Sequence, residues 1–124
     1  MIHLDTSFLI RAFIPATPED RRLRGWLSAR DPVGLSSITW AEFLCGPVTT
    51  LVVEEAAEAL GEPEAFDGAH ATLAAELFNV AGRRRGSLAD CMIAAAAIRA
   101  NARLATSNPA DFRPFTTHGL TLTT

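Results

Sequence analysis

The chain has 124 residues, 48% of them hydrophobic and 20% charged, with a formal net charge of −3 and two cysteines. That length holds one domain, residues 1–124, whose core needs no covalent staples, and the composition is that of a folded rather than a disordered chain. No apolar run approaches the ~20 residues of a membrane helix, and the charge argues against a strongly basic nucleic-acid binder. The first residues lack the basic-then-apolar layout of a secretory leader, so a cytoplasmic location is expected. Cys45 and Cys91 both fall in apolar helical contexts and are expected to be buried thiols. Lysine is absent, so all fixed positive charge is arginine. None of it falls between Arg30 and Arg83, where Glu54, Glu55, Glu58, Glu62, Glu64 and Asp67 crowd. A globally acidic chain of this kind can still carry a local basic rim.

In chain order, Met1-Ile2-His3-Leu4 is a short apolar strand that delivers Asp5 to its carboxyl end, and a helical pattern follows at once. Phe8, Leu9 and Phe13 form the apolar side of that first helix, and Pro15 stops it. Thr17-Pro18-Glu19-Asp20 opens a second helix with a capping Thr, a proline in the first turn and acids next. Its apolar face is Leu23, Trp26 and Leu27, and Asp31-Pro32 closes it. Residues 33–36 predict a second strand, followed by a helix from Ser37 or Thr39 to Cys45 that Gly46-Pro47 ends. A helix over 49–60 points Val52, Ala56, Ala59 and Leu60 inward, with Gly61 as its C-cap. Residues 64–67 are a weak third strand, and 69–81 an amphipathic helix with Leu73, Leu77, Phe78 and Ala81 as its stripe. After the basic turn Arg83-Arg84-Arg85-Gly86 comes the most apolar helix, 87–100, predicted to lie centrally against the sheet. Strands over 103–106 and 120–123 complete the chain, the last at an edge. Short strands alternating with longer helices predict a small α/β sandwich with a parallel sheet.

Asp5, Glu42 and Asp90 stand just after a strand or early in a helix, and Asn108 with Asp111 occupies a comparable fourth place. Each has a bland explanation. Asp5 can cap the helix from Thr6, while Thr39-x-x-Glu42 and Ser87-x-x-Asp90 fit the capping box. Asn108-Pro109-Ala110-Asp111 fits a further helix start, where acids also suit the helix dipole. Together they say more, because strand ends of a parallel sheet converge on one edge. Several carboxylates in one crevice repel unless a hard cation joins them, and Mg²⁺ or Mn²⁺ suits an oxygen-only set. Nothing suits zinc, because His3, His70 and His118 are scattered without ligand spacing. The apolar neighbours Leu4, Phe43 and Met92 are expected to wall the site.

Other chemistries lack their residues. A haloacid-type phosphatase wants an aspartate where Ser7 stands, and a phosphoacceptor receiver wants a lysine. There is no Gly-x-x-x-x-Gly-Lys loop and no Gly-x-Ser-x-Gly elbow.

Four stretches carry a family resemblance: Leu4-Asp5-Thr6-Ser7, Ser37-Ile38-Thr39-Trp40-Ala41-Glu42, Asp90-Cys91-Met92-Ile93-Ala94-Ala95, and Leu104-Ala105-Thr106-Ser107-Asn108-Pro109-Ala110-Asp111-Phe112. In this order and spacing the chain resembles the PIN-domain ribonucleases, specifically the VapC-like toxins of type II toxin–antitoxin modules. The resemblance implies a three-layer α/β/α sandwich whose short, mostly parallel sheet has strand order 3-2-1-4-5. It also implies a homodimer, a cognate antitoxin as inhibitor, and Mg²⁺-dependent cleavage of RNA, with tRNA and rRNA among the candidate substrates. Carried onto this chain, Asp5, Glu42 and Asp90 match the acidic triad, with Asp5 and Asp90 as metal ligands. Glu42 would orient water or hold a second ion. Asn108 stands where relatives often have Asp, so Asp111 is the candidate to supply the missing charge. Thr6 and Thr106 match hydroxyl positions of the site. Arg83, Arg84 and Arg85 are either a solvated turn or a grip on RNA phosphates. The competing functions are a catalytically weak PIN-like module that binds RNA or protein, and a DNA-directed nuclease.

Overall fold

The computed structural model describes residues 1–81 and 87–123. The Arg83-Arg84-Arg85 turn therefore lies outside the described residues. The first strand, β1 (Ile2–Leu4), runs into α1 (Thr6–Ala12), and α2 (Pro18–Ser28) leads to β2 (Val33–Gly34). Three helices follow, α3 (Ser37–Cys45), α4 (Thr50–Leu60) and α5 (Gly68–Val80). Then come α6 (Ser87–Arg99), β3 (Arg103–Ala105), α7 (Pro109–Phe112), a 3₁₀ helix (Arg113–His118) and β4 (Thr121–Leu122).

Local sequence explains where the helices begin. Asp5, Thr17, Ser36, Thr49 and Asp67 each precede a helix in extended backbone and accept one of its free N–H groups, or two in the case of Asp67. The cap of α3 is Ser36, whose Oγ accepts the Thr39 N–H at 3.2 Å. The expected Thr39–Glu42 capping box is thus displaced by one turn, and Glu42 falls in the helix interior.

The sheet order is β2-β1-β3-β4 with every pair parallel. Ile2 lies opposite Val33 on one side and Arg103 on the other, and Leu104 lies opposite Leu122. The expected order survives with four strands instead of five. Of the weak third strand only one parallel bridge forms, Ser36 to Glu64. It consists of the Glu64 N–H to Leu35 O and the Ser37 N–H to Glu64 O, both 2.8 Å. Pro63 has no N–H to extend this pairing, and Asp67 is already committed to capping α5.

Alternation along β1 and β3 divides the interior into two cores. Ile2, Leu4 and Ala105 face Phe8, Leu9, Leu23, Phe43 and Ala56. Leu104 faces Leu77, Cys91, Ile93, Phe112 and Phe115. Helices on both faces make the three-layer sandwich. As expected, α6 is deeply enclosed, with Ala94, Ala95 and Ala97 fully buried.

Two details differ from the sequence reading, and a third contact adds to it. Cys91 is buried but Cys45 is exposed at the end of α3, and both are free thiols. Leu27 is exposed rather than part of the α2 inner face. Arg22 lies over the Phe8 and Trp26 rings, 5.4 and 5.1 Å from their centroids, and donates to the Thr123 hydroxyl at 2.9 Å.

Candidate active site

β1 ends at the sheet's centre, and Asp5 is the next residue, 3% exposed. Its N–H donates to Ala105 O at 3.0 Å, which fixes its backbone against the end of β3. The carboxylate then collects donors from three places. Phe8 N–H reaches Oδ1 at 2.8 Å, the Ser7 hydroxyl reaches Oδ1 at 2.8 Å and Oδ2 at 3.0 Å, and the Thr106 hydroxyl reaches Oδ2 at 2.5 Å. Asp5 therefore is a helix cap, as the bland reading has it, and it also faces a crevice.

That crevice encloses about 270 Å³ and is lined by Asp5, Thr6, Ser7, Glu42, Asp90, Asn108 and Asp111, with Ile10, Ile93 and Phe112 as apolar wall. Each acid arrives from a different element. Glu42 comes from the interior of α3, where it has no capping role, and its Oε1 accepts the Thr6 hydroxyl at 2.5 Å. Asp90 comes from the first turn of α6. Asn108 precedes α7 but makes no side-chain cap bond, which leaves its amide to the crevice. Asp111 sits in the first turn of α7. Thr106 stands behind Asp5 rather than on the crevice surface, and its hydroxyl also accepts the Asn108 N–H at 3.0 Å.

Leu4, Phe43 and Met92 do not form the walls. Leu4 and Phe43 are buried in the first core, and Met92 packs against the second. A sequence neighbour on a strand points to the opposite face, and on a helix it turns ~100° away. The wall residues come instead one helical turn on, Ile93 after Asp90 and Ile10 after Thr6.

Electrostatics make this corner unusual. Burial pushes the Asp5 carboxyl above the ordinary carboxylate range, and the nearby Glu42 charge adds to that push. The Thr106, Phe8 and Ser7 donors oppose it without cancelling it. Among the described lining residues none is basic. The donor set of four carboxylates and one amide suits a hard divalent cation. Among the described residues, however, no group of three or more His, Cys, Asp or Glu side chains is drawn together as a ligand cluster.

Sequence reasoning overlooked Ser7 and Glu19. Ser7 sits two positions after Asp5, where a hydroxyl can bond back to the preceding acid, and that spacing was its only signal. It also accepts the Ser107 N–H at 3.1 Å. Glu19 accepts the Ser107 hydroxyl at 2.9 Å from a helix remote in sequence, and no local pattern announces that contact. Beside the crevice runs an apolar groove of about 230 Å³ lined by Ile10, Phe13, Ile14, Phe43, Val48 and Val52. Ile10 belongs to both.

Comparison with known proteins bears on the family and the fold. The PIN domain family model matches residues 2–114. Among solved structures, the chain is similar to VapBC2 from Rickettsia felis, determined bound to a DNA fragment from its promoter. Identity there is 24% and the TM-score 0.77, covering 99% of this chain and 98% of that one. It is also similar to FitAcB from Neisseria gonorrhoeae, at 24% identity and TM-score 0.71, covering 99% and 97%. A toxin–antitoxin complex from Klebsiella pneumoniae matches at 23% identity and TM-score 0.73, covering 91% of each chain. No curated protein matches.

Proposed function

The chain belongs to the PIN-domain family, and from that premise we propose that it is a VapC-like toxin, a Mg²⁺-dependent endoribonuclease restrained by a cognate antitoxin. The observation that carries this reading is the crevice, where Asp5, Glu42, Asp90 and Asp111 from four separate elements share one surface with no basic side chain among its described lining. Helix capping accounts for Asp5 but not for Glu42, which lies inside α3. Four acids gathered on one surface point to a cation and a phosphodiester.

Asp5 and Asp90 are the residues that would hold Mg²⁺, for which Mn²⁺ can substitute, with Asn108 and Asp111 completing the oxygen set. Bound there, the ion would supply Lewis-acid polarisation of the phosphate and make a water nucleophile available near neutral pH. The chain's own part is orientation. Thr106, Ser7 and the Phe8 amide fix both oxygens of Asp5. Thr6 fixes one oxygen of Glu42 and leaves the other to accept a proton from water. Ile93 and Phe112 are the buried apolar wall beside the acids, while Glu42 and Asp111 stay open to solvent.

The antitoxin is supported by likeness to solved toxin–antitoxin assemblies, and the apolar groove that shares Ile10 with the crevice supports a partner seated next to the acids; a homodimer belongs to the same proposal. A cytoplasmic location is part of the same proposal; among the described residues no helix is long and apolar enough to cross a membrane. The test is cleavage of purified tRNA and rRNA in Mg²⁺, with chelator and with Asp5→Asn. Cleavage should vanish in both controls while the circular dichroism spectrum stays the same. Undiminished cleavage by the variant overturns the proposal, and metal-dependent cutting of DNA alone selects the DNA-directed alternative.

A further inference from the structure

Resting on the nuclease reading above, we propose that Glu19 is a positioning residue of the acidic crevice. It holds the segment after β3 so that Thr106 meets Asp5 and Asn108 faces the crevice. Glu19 is the second residue of α2, and its side chain is only 14% exposed. One oxygen, Oε2, accepts the Ser107 hydroxyl at 2.9 Å. The other, Oε1, lies 3.0 Å from Arg11 Nε on α1, a charge contact that is not aligned as a hydrogen bond. Ser107 in turn donates its N–H to Ser7, and Ser7 donates to both oxygens of Asp5.

Residues 106–108 are therefore anchored at three points. Asp5 takes the Thr106 hydroxyl, Ser7 takes the Ser107 amide and Glu19 takes the Ser107 side chain. The first two anchors belong to the crevice itself. Glu19 is the one that reaches in from a helix with no residue on the crevice surface. Burial works against its charge, but its own N–H, Ser107 and Arg11 hold the carboxyl below its ordinary range, so it is ionised at neutral pH. A hydrogen bond to an ionised acceptor is about twice as strong as a neutral one. The competing view makes Glu19 a first-turn acid that favours the α2 dipole and pairs with Arg11. That view predicts a change in stability and nothing else.

The experiment uses the full chain with Glu19→Ala, Glu19→Gln, Ser107→Ala and the Ala/Ala double variant. It measures RNA cleavage in Mg²⁺ and, independently, Mn²⁺ binding by calorimetry. Glu19→Ala should lower kcat and weaken Mn²⁺ by roughly 10-fold or more, the lower end for residues that orient a ligand shell, with KM for RNA little changed. Glu19→Gln keeps an acceptor for Ser107 and should recover most of both. Ser107→Ala should reproduce the loss, and the double variant should be no worse than either single. Wild-type kcat and Mn²⁺ affinity in Glu19→Ala overturn the proposal. So does a loss that Gln does not repair while Ser107→Ala behaves as wild type. Should Glu19→Ala not fold, Glu19→Gln and Ser107→Ala decide by the same readouts. If the wild type binds Mn²⁺ but cleaves no RNA, the nuclease reading fails and the calorimetric comparison still decides the role of Glu19. A wild type that binds no Mn²⁺ overturns both.

Discussion

Two buried polar residues share β1 and its end, and they meet opposite surroundings. His3 is 1% exposed and Asp5 is 3% exposed. His3 faces Glu64, whose Oε2 is 3.3 Å from its Nε2, although not aligned as a hydrogen bond. Glu64 is held from the other side by His70, Nε2 to Oε1 3.4 Å, and His70 Nδ1 takes the Asp67 N–H in the cap of α5. This seam supplies an imidazole on each side of its half-buried carboxylate. Asp5 has hydroxyl and amide donors, a second acid in Glu42, and no basic side chain among the described residues around it. Burial moves both toward neutrality, lowering the His3 pKa against the pull of Glu64 and raising that of Asp5. A neutral histidine is an ordinary state near pH 7, whereas a neutral aspartic acid is not. The seam pairs its buried imidazoles with a carboxylate, while the crevice gathers carboxylates with no basic side chain among its described lining residues.

The contrast can be broken most sharply at Asp5. Asp5→Asn retains a good helix cap, so the fold should survive with Mg²⁺-dependent cleavage abolished. Asp5→Ala should lose the same activity and, in addition, about 1 kcal/mol of stability, read from urea unfolding. Equal stability of the two variants would mean that the cap at Phe8 contributes nothing. Ligand linkage comes next in size as a test of the crevice alone. Mg²⁺ at 100 times its Kd should stabilise the wild type by about 2.7 kcal/mol and leave Asp5→Asn unmoved. Equal stabilisation of His3→Gln and wild type would confine the cation to the crevice.

The two residues should also respond to pH in opposite directions. The folded pKa of His3 is lowered from 6.5, so the unfolded chain binds the proton more readily. Its contribution is present above pH 6.5 and is lost as pH falls through the lowered folded value. The folded pKa of Asp5 is raised from 3.8, so its contribution is present below that value and is lost as pH rises through the folded one. Stability profiles of His3→Gln and Asp5→Asn in metal-free buffer, each subtracted from wild type, should slope oppositely in those two windows. Slopes of the same sign would show that burial does not govern one of them. The smallest effect is a control outside both clusters. Thr39 is fully buried, and among the described residues its hydroxyl has no hydrogen-bond partner. Thr39→Val should therefore stabilise by up to about 1 kcal/mol and leave cleavage unchanged.

Much of this was readable in the chain, and the failures share a cause. Strands, helices and caps follow from neighbours a few residues apart, so β1, α2 with its Thr17 cap and the apolar α6 were visible. The acids were visible because strand ends of a parallel sheet converge by topology. What failed needs direction or distance. Leu4, Phe43 and Met92 are adjacent to the acids in sequence but point into the cores. Thr39 fits a cap pattern, yet Ser36 lies at the true boundary and takes the role. His3 and His70 looked scattered, because their meeting at Glu64 depends on a single bridge where only a weak strand was expected. Glu19 reaches Ser107 across the fold, which no spacing rule encodes.

Asp5 serves as helix cap and crevice acid with the same carboxylate, whose Oδ1 takes the Phe8 amide. A relative that had given up its chemistry would still keep Asp or Asn at this position, simply to start α1. The acid at position 5 is therefore a poor marker for telling an active descendant from a silent one. Glu42 has no such second employment, since it caps nothing and sits inside α3. Under the proposed function, position 42 should separate working from retired copies more sharply than position 5.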